Sequence, residues 1–359
     1  MQSLQPNLAV NLALESTFLE FARNPDELPQ RLAATPQRTV FVDEVQRLPG
    51  LLNTIQAILD GPGAPKFYLT GSSARKLRRG HANLLPGRLH THYLGALTAQ
   101  ELGYGFDLTR ALATGTLPGI WTEPDEEERR KTLRSYASTY LKEEIQAEAL
   151  TRNIEGFSRF LFVVATAAGQ FVDFTKLASE AGISRLSAMR YFELLEDTLI
   201  VRRCDAFRRS ARKRLVQSPR FFFFDAGVLN GLLGNFTVSA DRIGMLFEHF
   251  LFNQITALAA AHDVDARISS YRTSHGAEVD FILQWGERSL MAIEVNVSTQ
   301  ITSSDLRGLR SFADYYGKRH HPMVIYQGAQ RKQINDIDIT PWQDFLRDLA
   351  EPLIPGFYK

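Results

Sequence analysis

A single cysteine, Cys204, is present in 359 residues. One thiol excludes an intrachain disulfide and a cysteine-built zinc site, and it suits a reducing compartment. Long apolar runs are missing too. Stretches such as Phe221–Phe224 fall far short of the roughly 20 residues that a membrane-spanning helix needs. No basic segment followed by an apolar run opens the sequence, so no signal peptide is visible. Nor is there an excess of charge: 41 Lys and Arg against 40 Asp and Glu leave a formal net charge of +1. Any affinity for nucleic acid must therefore come from local patches. The expectation is a cytoplasmic protein without a membrane partner, its length sufficient for two or three domains at roughly 150 residues each.

The first third alternates strand and helix signals. Leu8–Leu14 is a short apolar run. The stretch from Ser16, a plausible N-cap, to Arg31 reads as one helix. Thr39–Val42 is a continuous β-branched and aromatic run, the composition of a strand buried on both faces. Leu51–Leu59 reads as a helix, Lys66–Leu69 as a second buried strand, and His90–Leu94 as a possible third. Such a rhythm predicts an α/β fold with a parallel sheet. Residues 125 to 205 read almost entirely as helix. Beyond 240 a long helix from Arg242 to Ala261 precedes strands near Ile268–Tyr271, Glu278–Gln284 and Ser289–Val295. The expected boundaries are 1–120, 121–235 and 236–359.

The most informative hexapeptide is Thr39-Val40-Phe41-Val42-Asp43-Glu44. A buried strand delivers two carboxylates at its carboxyl end, where open α/β sheets bind ligands. In a nucleotide hydrolase the first acid holds the Mg²⁺ shell and the second polarises water. The bland alternative is a pair of acids that end a strand. Thr70-Gly71-Ser72-Ser73 closes the next strand, and Leu84-Leu85-Pro86-Gly87-Arg88 puts an arginine in a glycine-bearing loop. With these features nearly the whole chain resembles a family of bacterial and archaeal AAA+ ATPases that carry a carboxyl-terminal domain of unknown function with a nuclease-like core. That resemblance implies that Asp43 and Glu44 are a Walker B pair, with Asp43 the cofactor-binding acid. It also implies that Thr70 or Ser72 is the polar sensor, and that Arg88 is an arginine finger acting on a neighbouring subunit in a ring or dimer. ATP and Mg²⁺ are the implied cofactors of intact relatives.

The phosphate loop G-x-x-x-x-G-K-[ST] is missing. No Gly-Lys-Ser or Gly-Lys-Thr occurs, and the sole Gly-Lys is Gly317-Lys318. Without the backbone cradle, the lysine and the Mg²⁺ hydroxyl, the expectation is a partial P-loop sheet that lacks an inner strand. Either the reading frame is truncated or the chain is a variant that works without ATP; the expectation is truncation, with weak ATP binding and slow hydrolysis, since positioning and charge neutralisation are nearly all of that catalysis.

In the middle, Phe174–Ser184 followed by Arg185–Glu196 has helix-turn-helix shape. Gly182 ends the first helix, Ser184 N-caps the second, and Leu186, Met189, Leu194 and Leu195 form its apolar side. Arg185, Ser187 and Arg190 would project as recognition residues, and Leu199-Ile200-Val201 would begin a wing. The stretch 202–220 then holds Arg202, Arg203, Arg208, Arg209, Arg212, Lys213, Arg214 and Arg220 against the single acid Asp205. This patch suits DNA phosphates. The competing reading is a winged helix used as a lid or protein contact, its cations paired with acids elsewhere.

Toward the carboxyl end, Gly276–Ile282 and Ile293-Glu294-Val295-Asn296 look like the PD-(D/E)xK core, with Glu248 matching the helical acid. The resemblance implies a restriction-endonuclease-like fold in which Glu248, Asp280 and Glu294 hold Mg²⁺. The lysine position is Asn296, which supplies no cation, so cleavage should be feeble. The expected whole is a degenerate AAA+ ATPase-family protein that binds DNA. The alternatives are a Mg²⁺-dependent DNA endonuclease and a non-catalytic partner-binding regulator.

Overall fold

Thr39–Asp43 forms strand β2, and its three central residues Val40, Phe41 and Val42 are buried. It is flanked on both sides by parallel neighbours, β1 (Leu8–Asn11) and β3 (Lys66–Leu69), giving the order β1-β2-β3. The register sets Asn11 opposite Asp43 and Val42 opposite Leu69. Helices α1 (Glu15–Arg23), α2 (Glu27–Ala34) and α3 (Leu51–Leu59) supply Phe21, Leu28, Leu51, Leu52 and Ile55 to one core with Val10, Leu12, Val40 and Val42. The structure is a computed structural model and describes residues 6–34, 38–71, 89–137, 153–207, 218–285 and 289–350. Contacts divide the chain into two compact units, 1–91 and 92–359. Among the described residues β3 has no partner on its far side.

Three local expectations change in this region. The helix expected from Ser16 to Arg31 is two helices. Pro25 disfavours helical backbone at Asn24, which turns extended and ends α1. The N-cap is Leu14, with no side-chain cap, and Ser16 lies inside the helix. His90–Leu94 forms no strand: Tyr93 and Leu94 are exposed, Leu94 at 99%, and no ladder pairs them.

The second unit begins with helices α4 (Leu108–Thr114), α5 (Pro118–Thr122), α6 (Glu126–Ser135), α7 (Ile154–Thr166), α8 (Phe174–Ala181) and α9 (Arg185–Asp197). Strands β4 (Val201–Ala206) and β5 (Arg220–Phe223) follow, then α10 (Ala226–Leu233) and α11 (Ile243–Ala261). The rest is β6 (Ala266–Arg272), β7 (Glu278–Trp285), β8 (Ser289–Asn296), α12 (Arg307–Tyr316), β9 (His321–Tyr326), β10 (Lys332–Ile334), β11 (Ile337–Pro341) and α13 (Trp342–Ala350). All eight strands join in one mixed sheet of order β10-β11-β9-β8-β7-β6-β4-β5. Alternation along β8 divides the core. Met291 and Ile293 join the large cluster with α11 and the helical region, whereas Leu290 and Ala292 join a second cluster with Leu309 and Phe312 of α12.

Asp225 ties helices to this sheet. It caps α10 by accepting from the Val228 amide at 3.1 Å, and it also accepts from the Thr116 amide at 2.9 Å. Gly115 and Gly227 lie so close that a Cβ at either would collide with the Asp225 carboxylate or the Thr114 carbonyl. Burial pushes the Asp225 carboxyl up to about 6 even though the Thr116, Val228 and Gly227 amides pull it down. The strand expected at Leu199–Val201 starts only at Val201, because Leu199 adopts a left-handed backbone at φ 61°. Among the described residues no helix is long and apolar enough to cross a membrane.

Candidate functional site

At the rim of the first unit, the parallel pairing continues one residue past β2 and β3. The Thr70 amide donates to the Val42 carbonyl at 2.9 Å, and the Val45 amide donates to the Thr70 carbonyl at 3.0 Å. This lays Thr70 beside Asp43, and the Thr70 hydroxyl donates to the Asp43 carboxylate. Glu44 follows with a left-handed backbone at φ 57°. That region costs a non-glycine residue of order 1–3 kcal/mol and is concentrated at functional sites. The Glu44 carboxylate accepts from Gln46 Nε2 at 2.5 Å, and Gln46 is buried against Gly71, where a Cβ would collide with its amide oxygen. Asp43, Glu44 and Thr70 thus share one edge of the sheet. Ser72 and Arg88 lie outside the described residues.

Sequence reasoning did not single out Arg47. Its guanidinium donates to the Leu12 carbonyl at 2.7 Å and the Ala13 carbonyl at 2.8 Å, pairs with Glu15 at 2.8 Å, and lies over the Phe18 ring. It ties the turn after β1 to the turn after β2, so both strand ends present a fixed rim. Nothing in its local sequence marks that role, since its hydrogen-bond partners are more than thirty residues away.

In the second unit the structure gathers Glu248 from α11, Glu278 and Asp280 from β7, and Glu294 from β8. Asp280 Oδ2 accepts from the Val295 amide at 2.8 Å, which fixes β7 against β8. At the centre stands Arg220, the first residue of β5, its side chain 6% exposed. Arg220 pairs with Glu248, lies 3.5 Å from Asp280 and 3.8 Å from Glu278, and donates through Nε to the Gly169 carbonyl at 2.6 Å. The guanidinium also lies over the rings of Phe171 and Phe222.

The electrostatics follow from this crowding. Burial pushes Glu294 up to about 10, with the negative fields of Asp280, Glu248 and Glu278 adding to it. Burial and then Asp280 push Glu248 up to about 8, against the pull of Arg220. Asp280 and Glu278 are also raised, chiefly by burial. For Arg220 burial alone would favour loss of the proton, but the Glu248 and Asp280 carboxylates more than offset it and keep the guanidinium charged. Glu294 Oε2 is enclosed and makes no hydrogen bond among the described residues. Beside them, burial first and the Arg220 charge after it push His249 down to about 4; its Nε2 lies 2.8 Å from the Phe223 carbonyl. Cys204, opposite Arg220 in the β4–β5 pairing, is fully buried, and burial pushes its thiol up to about 12.

Glu248, Asp280 and Glu294, expected as metal ligands, are therefore neighbours. Even so, among the described residues no group of three or more His, Cys, Asp or Glu side chains is arranged to hold a metal ion. The expected electrostatic patch also changes character. Arg220 faces inward to acids, Arg203 is bidentate to Glu196 at 2.8 and 2.7 Å, and Arg202 is largely enclosed. Arg208, Arg209, Arg212, Lys213 and Arg214 lie outside the described residues.

The helix-turn-helix stretch is built as its caps suggest. Gly182 has a left-handed backbone after α8, and Ser184 caps α9 by accepting from the Ser187 amide at 3.1 Å. Arg185 and Arg190 are exposed on α9. Leu186 is not on the apolar side: it is 67% exposed, and Ala188, Tyr191, Phe192, Leu194 and Leu195 fill the core instead.

Residues 2–103 match a family model described as an AAA domain. Residues 105–239 and 243–345 match two domains of unknown function, DUF8612 and DUF4143. The matches support an AAA-like ATPase family. The uncharacterized protein Rv2008c of Mycobacterium tuberculosis and the uncharacterized protein Mb2031c of Mycobacterium bovis are each 26% identical over 302 residues, covering 83% of this chain and 66% of theirs. The match thus spans just under two thirds of these curated relatives. No solved structure matches. An AAA domain suggests ATP and Mg²⁺ use in relatives. The rim of Asp43, Glu44 and Thr70 lies within the matched residues, as does Arg47.

Proposed function

We propose that the first unit is an AAA-type nucleotide site in which Asp43 holds the Mg²⁺ shell, Thr70 orients Asp43, and Glu44 polarises the attacking water. The observation that carries this reading is the hydroxyl of Thr70 donating to Asp43 across two adjacent parallel strands. A carboxylate anchored in this way at the carboxyl end of a buried strand is preorganised for a hydrated cation. Two groups fit Mg²⁺·ATP here: a strand-end carboxylate and the neighbouring acid. The phosphate-cradling loop is not among them, because the sequence contains no Gly-Lys-Ser or Gly-Lys-Thr. Affinity for ATP in the 359-residue chain is accordingly weak and turnover slow, since charge neutralisation of the phosphates dominates this chemistry.

Titration with a fluorescent ATP analogue, with and without Mg²⁺, tests the reading. Weak binding that requires Mg²⁺ and is lost in Asp43→Ala is expected. Binding indifferent to both Mg²⁺ and Asp43→Ala would refute the site, and micromolar affinity would refute the proposed deficit. For the second unit the reading is a DNA-binding module, with Arg185 and Arg190 on α9 as the recognition side. Support comes from the capped α8–α9 pair with two exposed arginines on the second helix.

A further inference from the structure

The resemblance to a nuclease core implies a divalent metal held by Glu248, Asp280 and Glu294, and the arrangement does not fit that ion. A hard divalent cation needs carboxylate oxygens converging on one point with room for water. Here Arg220 comes between them. Its guanidinium is enclosed, pairs with Glu248, approaches Asp280 and Glu278, and is held from behind by the Gly169 carbonyl and by the rings of Phe171 and Phe222. Its N–H groups face Glu248, Asp280 and Glu278, and they do not reach Glu294.

We propose that Arg220 is the resident cation of this cluster, standing where a divalent metal would otherwise sit, so that the cluster is a metal-free lock joining β5 and α11 to β7. Three features distinguish this from a routine ion pair. First, the cation comes from a strand far in sequence from the acids it serves, and it is nearly inaccessible to solvent. Second, one guanidinium meets three carboxyls, Glu248 by an ion pair, Asp280 at 3.5 Å and Glu278 at 3.8 Å. Third, Glu294 Oε2 has no hydrogen-bond partner among the described residues on the side where α12 packs, Gly308 approaching it so closely that a Cβ there would lie 3.2 Å away. An acid that Arg220 does not reach is what remains when a monovalent planar cation replaces a metal that several carboxylates could surround.

The test uses the full chain carrying Asp43→Ala, so that the first unit contributes no metal site. Mn²⁺ is titrated and followed by electron paramagnetic resonance and by thermal melting. The chain with Arg220 intact is expected to bind no Mn²⁺ in a manner sensitive to Glu248→Gln or Glu294→Gln. Arg220→Met, of similar length but uncharged, is expected to gain a single Mn²⁺, with a melting temperature that rises with Mn²⁺ and a gain abolished by adding Glu294→Gln. Arg220→Lys, which keeps the charge, is expected to gain none. Glu294-dependent Mn²⁺ binding with Arg220 in place overturns the proposal. So does a folded Arg220→Met that takes up no Mn²⁺. Should Arg220→Met be unfolded, recovery of cooperative melting on adding Mn²⁺ supports the proposal, and failure to recover counts against it.

Discussion

Arg220 shows how far a single residue's role depends on what surrounds it. In the sequence it ends a basic stretch and reads as one more phosphate contact. In the structure it is buried among Glu248, Glu278 and Asp280. Removing one partner of a buried charge network leaves the others uncompensated, at a cost of about 3–5 kcal/mol. Arg220→Met in metal-free buffer is therefore expected to lower the unfolding free energy of the second unit by that amount, read from urea denaturation. A loss no larger than that of an exposed pair such as Arg331–Asp344 would show that the cluster carries little of the fold. By contrast, the Asp43–Glu44 pair was legible at once, because an acid pair at the end of a β-branched run is a local pattern. The hydroxyl that steadies it was legible only as one of two candidates, since adjacency of β2 and β3 is not a local property.

At the scale of elements, α9 is the clearest case. Its start follows from Ser184, and the end of α8 just before it from Gly182, whose capping and left-handed preferences are written in single residues. Which side it buries was partly misjudged at Leu186, which sits in the first turn and is 67% exposed. Leu186 shares the exposed side with Arg185 and Arg190, the side that the proposed DNA contact would use. Arg185→Ala and Arg190→Ala are each expected to reduce the slope of log affinity against log salt by about 1 in gel shifts at graded salt. Unchanged slopes in both variants would remove α9 from the DNA-binding reading. The strand after α9 carries a similar lesson. β4 pairs antiparallel with β5, as a wing would, yet it also pairs parallel with β6 and so belongs to the eight-stranded sheet.

For the molecule as a whole, the buried acids set the dependence of stability on pH. Glu248 and Glu294 have folded-state values of about 8 and about 10 against an ordinary 4.5. Between those limits the folded state binds more protons than the unfolded state, so the stabilising protonation is present at low pH and lost as pH rises through 8 and then 10. His249 acts in the opposite sense, but only between about 4 and 6.5, where the unfolded chain takes the proton more readily. Above 6.5 the acids act unopposed by it. The urea midpoint of the second unit is expected to fall steadily from pH 6.5 to 10, and Glu294→Gln is expected to flatten that fall. A midpoint that holds level or climbs over this range would contradict the assignment of protons to the cluster.

What the sequence by itself determined are features of short range. The buried run of β2 and its terminal acids, the span of α3, the capped α8–α9 pair and the long α11 all arise from spacing and local backbone preference, which neighbouring residues set. Tertiary structure alone decided that Thr70 meets Asp43, that Arg47 binds the turn after β1, and that Arg220 turns inward to acids up to sixty positions away. Desolvation and charge pairing belong to an assembled environment. Residues distant in the chain acquire their ionisation and their partners only when the strands that carry them are laid side by side.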